Sequence, residues 1–139
     1  MKVINDSIHL STSGFSDMKD ITGEVSSKLA SHGLQSGQVT LFVSGSTAGL
    51  TTIEYEPGLE KDFTELMERV APSNKTYHHD ARWGDGNGFS HVRASLVGPS
   101  LTVPFSEGKL VLGTWQQIVF IDFDNRSRSR NIVLQFIGE

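Results

Sequence analysis

Residues 77–88, Tyr77-His78-His79-Asp80-Ala81-Arg82-Trp83-Gly84-Asp85-Gly86-Asn87-Gly88, bring imidazoles, carboxylates, a guanidinium and an amide into one short stretch, and His91 follows closely. Neutral imidazole is both a common metal ligand and a proton carrier near neutral pH. Two or three histidines with a carboxylate would suit zinc or a similar divalent ion. The spacing fits no standard zinc signature, so the competing reading is a set of loop histidines that only hydrogen-bond. His78 and His79 are adjacent, and in extended backbone they would point to opposite sides, leaving one of them to face a site.

Other segments carry weaker signals. Ser44-Gly45-Ser46-Thr47-Ala48-Gly49 is a run of small residues after an apolar strand. Its backbone N–H groups could approach an anion, although the Gly-Lys-Ser/Thr element of a phosphate-binding P-loop is missing, and a tight turn is the simpler account. Glu54 and Glu56 share one face of an extended chain and could act as acid and base or hold a cation; solvated strand residues would look the same. Trp115 stands between Thr114 and two glutamines, where it could line a pocket or join the core. Arg126, Arg128 and Arg130 alternate with serines. They read first as the charged protection of an edge strand and second as a grip on phosphate.

The elements around these residues follow from hydrophobic period. Val3–Leu10 alternates and predicts a strand. Ser16 or Asp17 caps a predicted helix with Met18, Ile21, Val25 and Leu29 inward, stopped at Gly33. Val39–Val43 predicts a central strand, and Leu50–Tyr55 a second one. Leu59–Val70 predicts a helix ended by Pro72. Residues 73–90 read as a long functional loop, followed by a short helix from His91 to Val97 capped by Ser90. The rest reads as strands: Leu101–Phe105, Lys109–Leu112, Gln117–Phe123 and Arg130–Ile137. The order predicts one α+β domain over 1–139, a mostly antiparallel sheet or β-sandwich flanked by two to three helices.

Bulk properties narrow the field. A chain of 139 residues without cysteine needs neither disulfides nor a thiolate metal site. A net charge of −4 argues against a nucleic-acid partner. No apolar run reaches the length of a membrane span, and the first residues do not resemble a signal peptide, so a cytoplasmic protein with no membrane partner is expected.

Taken together, the segments resemble the YjbQ-like family, whose members are often labelled secondary thiamine-phosphate synthase. The most specific match is Ser100-Leu101-Thr102-Val103-Pro104-Phe105, then Gly108, then Leu112-Gly113-Thr114-Trp115-Gln116-Gln117-Ile118. Ser46-Thr47-Ala48, Glu54, Asp62, Pro72, Tyr77-His78-His79-Asp80, Ser90-His91, Gly98 and Gly138-Glu139 support it. The resemblance implies an α+β sandwich assembled as a homotrimer, with a histidine site at a subunit boundary. The implied activity is a weak synthesis that joins a pyrimidine methyl diphosphate to a thiazole phosphate and releases diphosphate. Many members have a histidine where this chain has Gly45; the chain resembles a Gly-Ser-Thr-Ala-Gly subgroup that lacks that ligand.

The resulting expectations are specific. His79, His91 and Glu54 are the candidate catalytic groups. Ser46, Thr47, Ala48, Arg82 and Asn87 are the candidate ligand-binding residues, with Arg93 as an alternative to Arg82. His78, His79 and His91 are the candidate ligands of a divalent metal, zinc or magnesium, and Asp80 their orienting acceptor. The partner is a small phosphorylated metabolite. The rival functions are a non-catalytic metal- or metabolite-binding protein and a metal-dependent phosphate-ester hydrolase. Trp115 is expected to anchor the core or a subunit contact, and Ser46 and Thr47 to face the ligand.

Overall fold

The computed structural model describes residues 1–139. In chain order the elements are β1 (Lys2–Thr12), β2 (Asp17–Asp20), α1 (Thr22–His32), β3 (Ser36–Val43), β4 (Ala48–Ile53), α2 (Pro57–Val70), α3 (His78–Trp83), α4 (Gly88–Val97), β5 (Ser100–Ser106), β6 (Lys109–Leu110), β7 (Gln117–Asp122) and β8 (Arg128–Gly138). Two antiparallel sheets form, one ordered β1-β8-β3-β5-β6 and the other β2-β7-β4. This is the mixed α+β, mostly antiparallel architecture that the hydrophobic period predicts. No helix is long and apolar enough to cross a membrane.

The period of β7 explains the layering. Ile118 and Phe120 point one way, into a core shared with Val39 and Leu41 of β3, Leu134 and Phe136 of β8, and Val25 and Leu29 of α1. Val119 and Ile121 point the other way, with Phe123 just beyond the strand, onto Met67 of α2 and Ala94 of α4. All five are fully buried. A strand apolar on both faces must be covered on both, so sheet packs on one side and helices on the other. The carboxyl end of β7 is thereby held rigidly beside α4.

Several boundaries differ from the sequence reading. Met18 lies in β2, not in the first helix. Phe15 and Ser16 have φ of 53° and 67°, which turns the chain and prevents a helix from starting there. The helix begins only after Asp20, whose carboxylate accepts the N–H and hydroxyl of Thr22. The long loop is interrupted by α3, which covers His78–Trp83, and α4 starts three residues before the predicted His91. As a whole β8 is internal to its sheet, between β1 and β3, but its arginine-bearing start, Arg128–Arg130, pairs with β1 alone. The β3 pairing stops at Val43↔Ile132, so Arg128 and Arg130 extend past it, toward the space where the chain leaves β3.

Candidate functional site

A cavity of about 380 Å3 opens at that end of the sandwich, lined by Gly45–Thr47, by His79, Trp83 and Asp85, by Asn87 and His91, and by Asp124, Arg128 and Arg130. Four separate segments converge on it, and each is fixed by a local cause.

The floor is an ionic network. Asp122 and Asp124 are fully buried. Arg130 reaches Asp122 through Nε at 2.7 Å and Nη2 at 2.9 Å, and its Nη2 also donates to the Thr47 hydroxyl at 2.7 Å. Thr47 in turn donates to Asp124 at 3.1 Å. Asp124 further accepts from Arg128 Nε at 2.8 Å, Asn87 Nδ2 at 3.3 Å and the Asn125 N–H at 2.8 Å. Burial alone would raise the Asp124 pKa; the Asn125 N–H, with Asn87, Arg128 and Thr47, more than offsets it and holds the group below its ordinary value. Every lone-pair direction of Asp124 is used, so it is a strut and has no capacity left as a base. Thr47, 5% exposed, also has its proton committed.

What the network leaves free faces the cavity. Arg130 Nη1 makes no hydrogen bond to the protein, and a Cβ added to Gly45 would stand 3.0 Å from it. The loop between β3 and β4 leaves the backbone N–H groups of Gly45, Ser46 and Thr47 without a protein acceptor. Consecutive unpaired amides beside a guanidinium are a ready anion cradle.

The opposite wall is the α3–α4 pair. Asp80 ties the two helix starts together: its carboxylate accepts the Tyr77 N–H at 3.0 Å and the Gly88 N–H at 2.8 Å. The bond from Tyr77 is the leading cause that holds its pKa below the ordinary value. Gly88 permits the approach, because a Cβ there would lie 2.5 Å from Tyr77 Cβ. The contact brings the His79 and His91 rings to 4.3 Å between centroids, tilted by 46°. Burial, and then the proximity of His79, lower the His91 pKa, so His91 is neutral at pH 7 and can accept a proton. The Nε2 of His79 stands 3.5 Å from Asp85 Oδ1 without hydrogen-bond alignment. That nitrogen and the Oδ1 of Asn87 are buried and unpartnered, which is costly unless a ligand satisfies them.

The structure brings Ser46, Thr47, His79, Asn87 and His91 together and leaves the other predicted residues outside. His78 is exposed and does not line the cavity; on a helix it sits about 100° around from His79. Arg82 stacks over Trp83 at 5.3 Å and is exposed. Arg93 is buried and committed to Ala71 O, Ser16 Oγ and Glu68. Asp80 braces the backbone instead of orienting a histidine. Ala48 lines a neighbouring chamber. Glu54 is exposed beyond the far end of β4. Arg128, Arg130, Asp122 and Asp124 were missed as a group. The alternation Arg128-Ser129-Arg130 puts both arginines on one face, but their partners Asp122 and Asp124 lie at and just beyond the end of β7 in the other sheet, which no local pattern shows.

The expected divalent metal finds no ready site. No three His, Cys, Asp or Glu side chains gather in a geometry that could hold an ion; His79 and His91 are only a pair.

Comparison with known proteins places this geometry in a group. The sequence profile described as "UPF0047 protein YjbQ-like" matches residues 6–139. A UPF0047 protein of Methanothermobacter thermautotrophicus is 37% identical over 139 residues, covering 100% of this chain and 95% of that protein. One from Archaeoglobus fulgidus is 39% identical over 116 residues, 84% of this chain and 87% of its own. A crystal structure described as a YbjQ-like protein of unknown function from Sulfolobus solfataricus P2 superposes with a TM-score of 0.93 at 32% identity, covering 99% of both chains.

Proposed function

The chain belongs to the UPF0047 YjbQ-like family, and from that premise we propose that it binds a small phosphorylated metabolite in the Arg128–Arg130 cavity, with thiamine-phosphate synthesis as the candidate reaction. The observation that carries the reading is the cradle itself: three unpaired amides, Gly45–Thr47, beside the free Nη1 of Arg130 and across from His79 and His91. A phosphoryl group there meets donors fixed in place before it arrives, which is the arrangement that stabilises a leaving phosphate or diphosphate. His91, neutral when free, is the group suited to take a proton. The unpartnered Asn87 Oδ1 suits a donor on the ligand, and His79 Nε2 donates or accepts according to its tautomer. A divalent ion arriving with a diphosphate would find the two imidazoles of His79 and His91. The homotrimer implied by the resemblance is part of it too, checked by light scattering across micromolar concentrations.

Calorimetric titration with inorganic phosphate and diphosphate tests the reading. Wild type should bind both. Arg130→Lys keeps the charge but loses the planar fork and should weaken binding roughly 10-fold or more, the size expected for one charge-assisted hydrogen bond. His79→Ala and His91→Ala should weaken binding with little change in melting temperature. No binding by wild type would end the proposal. A coupled assay for thiamine phosphate on the same protein decides the candidate reaction separately.

A further inference from the structure

The charged cavity is one half of a larger depression. A second chamber of about 180 Å3 adjoins it, lined by Gly45, Ser46, Ala48, His91, Ala94, Ser95 and Pro99. Gly45, Ser46 and His91 line both chambers. The two differ in chemistry. The larger holds two arginines and two carboxylates; the smaller has no formally charged side chain except His91 when protonated. Its walls are short: Ala94 and Ser95 lie one turn after His91 on α4, and Ala48 and Pro99 close the other side. The Ser95 hydroxyl is already donated to the His91 carbonyl at 2.8 Å, leaving an almost neutral lining. Free phosphate or diphosphate has nothing to gain from such walls, whereas an uncharged organic group does.

We propose that the ligand is bipartite: an organic phosphoester whose charged group lies in the Arg128–Arg130 chamber and whose small uncharged group lies against Ala48, Ala94, Ser95 and Pro99. The junction then falls at Ser46 and His91, so the ester oxygen is the atom nearest the neutral imidazole. The volume ratio of the chambers, 180 to 380 Å3, restricts the organic part to a group smaller than the charged chamber. The backbone amides of Gly45 and Ser46, residues that line both chambers, lack acceptors and support the joint. This inference rests on the phosphate-binding reading above.

The test compares inorganic phosphate with glycerol 2-phosphate by calorimetry on the full chain. Wild type should bind the ester at least 10-fold tighter than phosphate. Ala94→Val adds volume where α4 walls the small chamber, and should bring that ratio near one while phosphate affinity stays unchanged. Because Ala94 also packs against β7, Ser95→Leu, at an exposed position, provides the same closure without touching the core. Equal wild-type affinities for phosphate and ester, or an unchanged ratio in a folded variant, would overturn the bipartite site while leaving phosphate binding standing. Failure of wild type to bind phosphate at all, or binding that Arg130→Lys leaves unchanged, would overturn the underlying reading and the bipartite site with it.

Discussion

The two ends of β7 differ in almost every respect. At its carboxyl end, Asp122 pairs with Ala48 of β4 and opens the charged cavity. At its amino end, Gln117 pairs with Ile53, and the preceding Gly113-Thr114-Trp115-Gln116 forms a loop. That loop lines a different cavity of about 330 Å3, whose one charged residue is Lys109. The ends are roughly 17 Å apart at the usual rise per residue. The amino end carries the most distinctive sequence motif, yet its tryptophan is 70% exposed. The carboxyl end reads as an ordinary run of alternating charges, yet those charges are buried and interlocked. Distinctiveness in a sequence and convergence of chemistry in space are therefore separate properties in this chain. Glu54 belongs with the amino end, since the Tyr55 N–H donates to Gln117 Oε1, and that is why it cannot serve the histidine pair.

The largest effect expected from this contrast is on stability at the carboxyl end. Asp122→Ala removes the main partner of a guanidinium that is 12% exposed and leaves the Thr12 hydroxyl only its long bond to the Arg128 carbonyl. Breaking one side of a buried ion pair costs about 3–5 kcal/mol. Urea denaturation should show that loss. A change below about 1 kcal/mol would mean that the network is solvated and that the two ends are less different than their burial suggests.

Gly88→Ala comes next. The added methyl would meet Tyr77 Cβ at 2.5 Å and Asp80 Oδ1 at 3.0 Å, both parts of the brace between α3 and α4. Overpacking of this kind costs about 1–3 kcal/mol. The sharper readout is phosphate affinity, which should fall because the His79–His91 pair is spread. Loss of stability with unchanged affinity would show that the brace supports the fold and not the site.

A smaller effect concerns proton binding. The native state lowers the His91 pKa below the ordinary 6.5, so the unfolded chain holds that proton more tightly. The stability contributed by neutral His91 is complete above pH 6.5 and declines as pH falls through 6.5 toward the native value. In an NMR titration the His91 ring should therefore protonate below 6.5 in free protein. Saturating phosphate should move that midpoint upward, because an anion at hydrogen-bonding distance favours imidazolium. An unshifted midpoint in the presence of bound phosphate would place the anion away from His91.

The sequence made the layers legible because β3 and β8 alternate between core and surface, while β7 is a continuous apolar run that must be covered on both faces. It also made His79, His91, Asn87 and Ser46 legible, because polar side chains close to glycines and outside any apolar stripe have few structural uses. Three things were hidden, each for a physical reason. The six-residue α3 lacks an apolar face, and none of its residues is buried, so periodicity had nothing to report. Met18 fits a helical stripe and a strand equally well, and only the positive φ values at Phe15 and Ser16 decide between them. The arginines depended on strand order, which is a long-range property: β8 pairs with β1 from the other end of the chain, and no local pattern announces that.

The smallest expected effect concerns the most conspicuous residue. From its type and setting, Trp115 should anchor the core or a subunit contact, and truncating a buried tryptophan costs about 3–5 kcal/mol. In this chain it is 70% exposed, as are large parts of Val111 and Trp83. Gln116, beside it, supports the loop by accepting the Gly113 N–H at 3.0 Å and donating to Thr52 Oγ1 at 3.0 Å, contacts that do not involve the indole. Truncation at an exposed position without such bonds changes stability by about 0.5 kcal/mol or less. Trp115→Ala should therefore unfold at the same urea midpoint as wild type at low protein concentration, and bind phosphate unchanged, since the cavity lies at the other end of β7. Repeating the melts over a range of protein concentrations sharpens the result. A midpoint that becomes concentration-dependent in wild type and loses that dependence in the variant would show that a second copy covers the indole. A concentration-independent loss of several kcal/mol would instead break the comparison, because the amino end of β7 would then carry as much of the fold as the buried charges do.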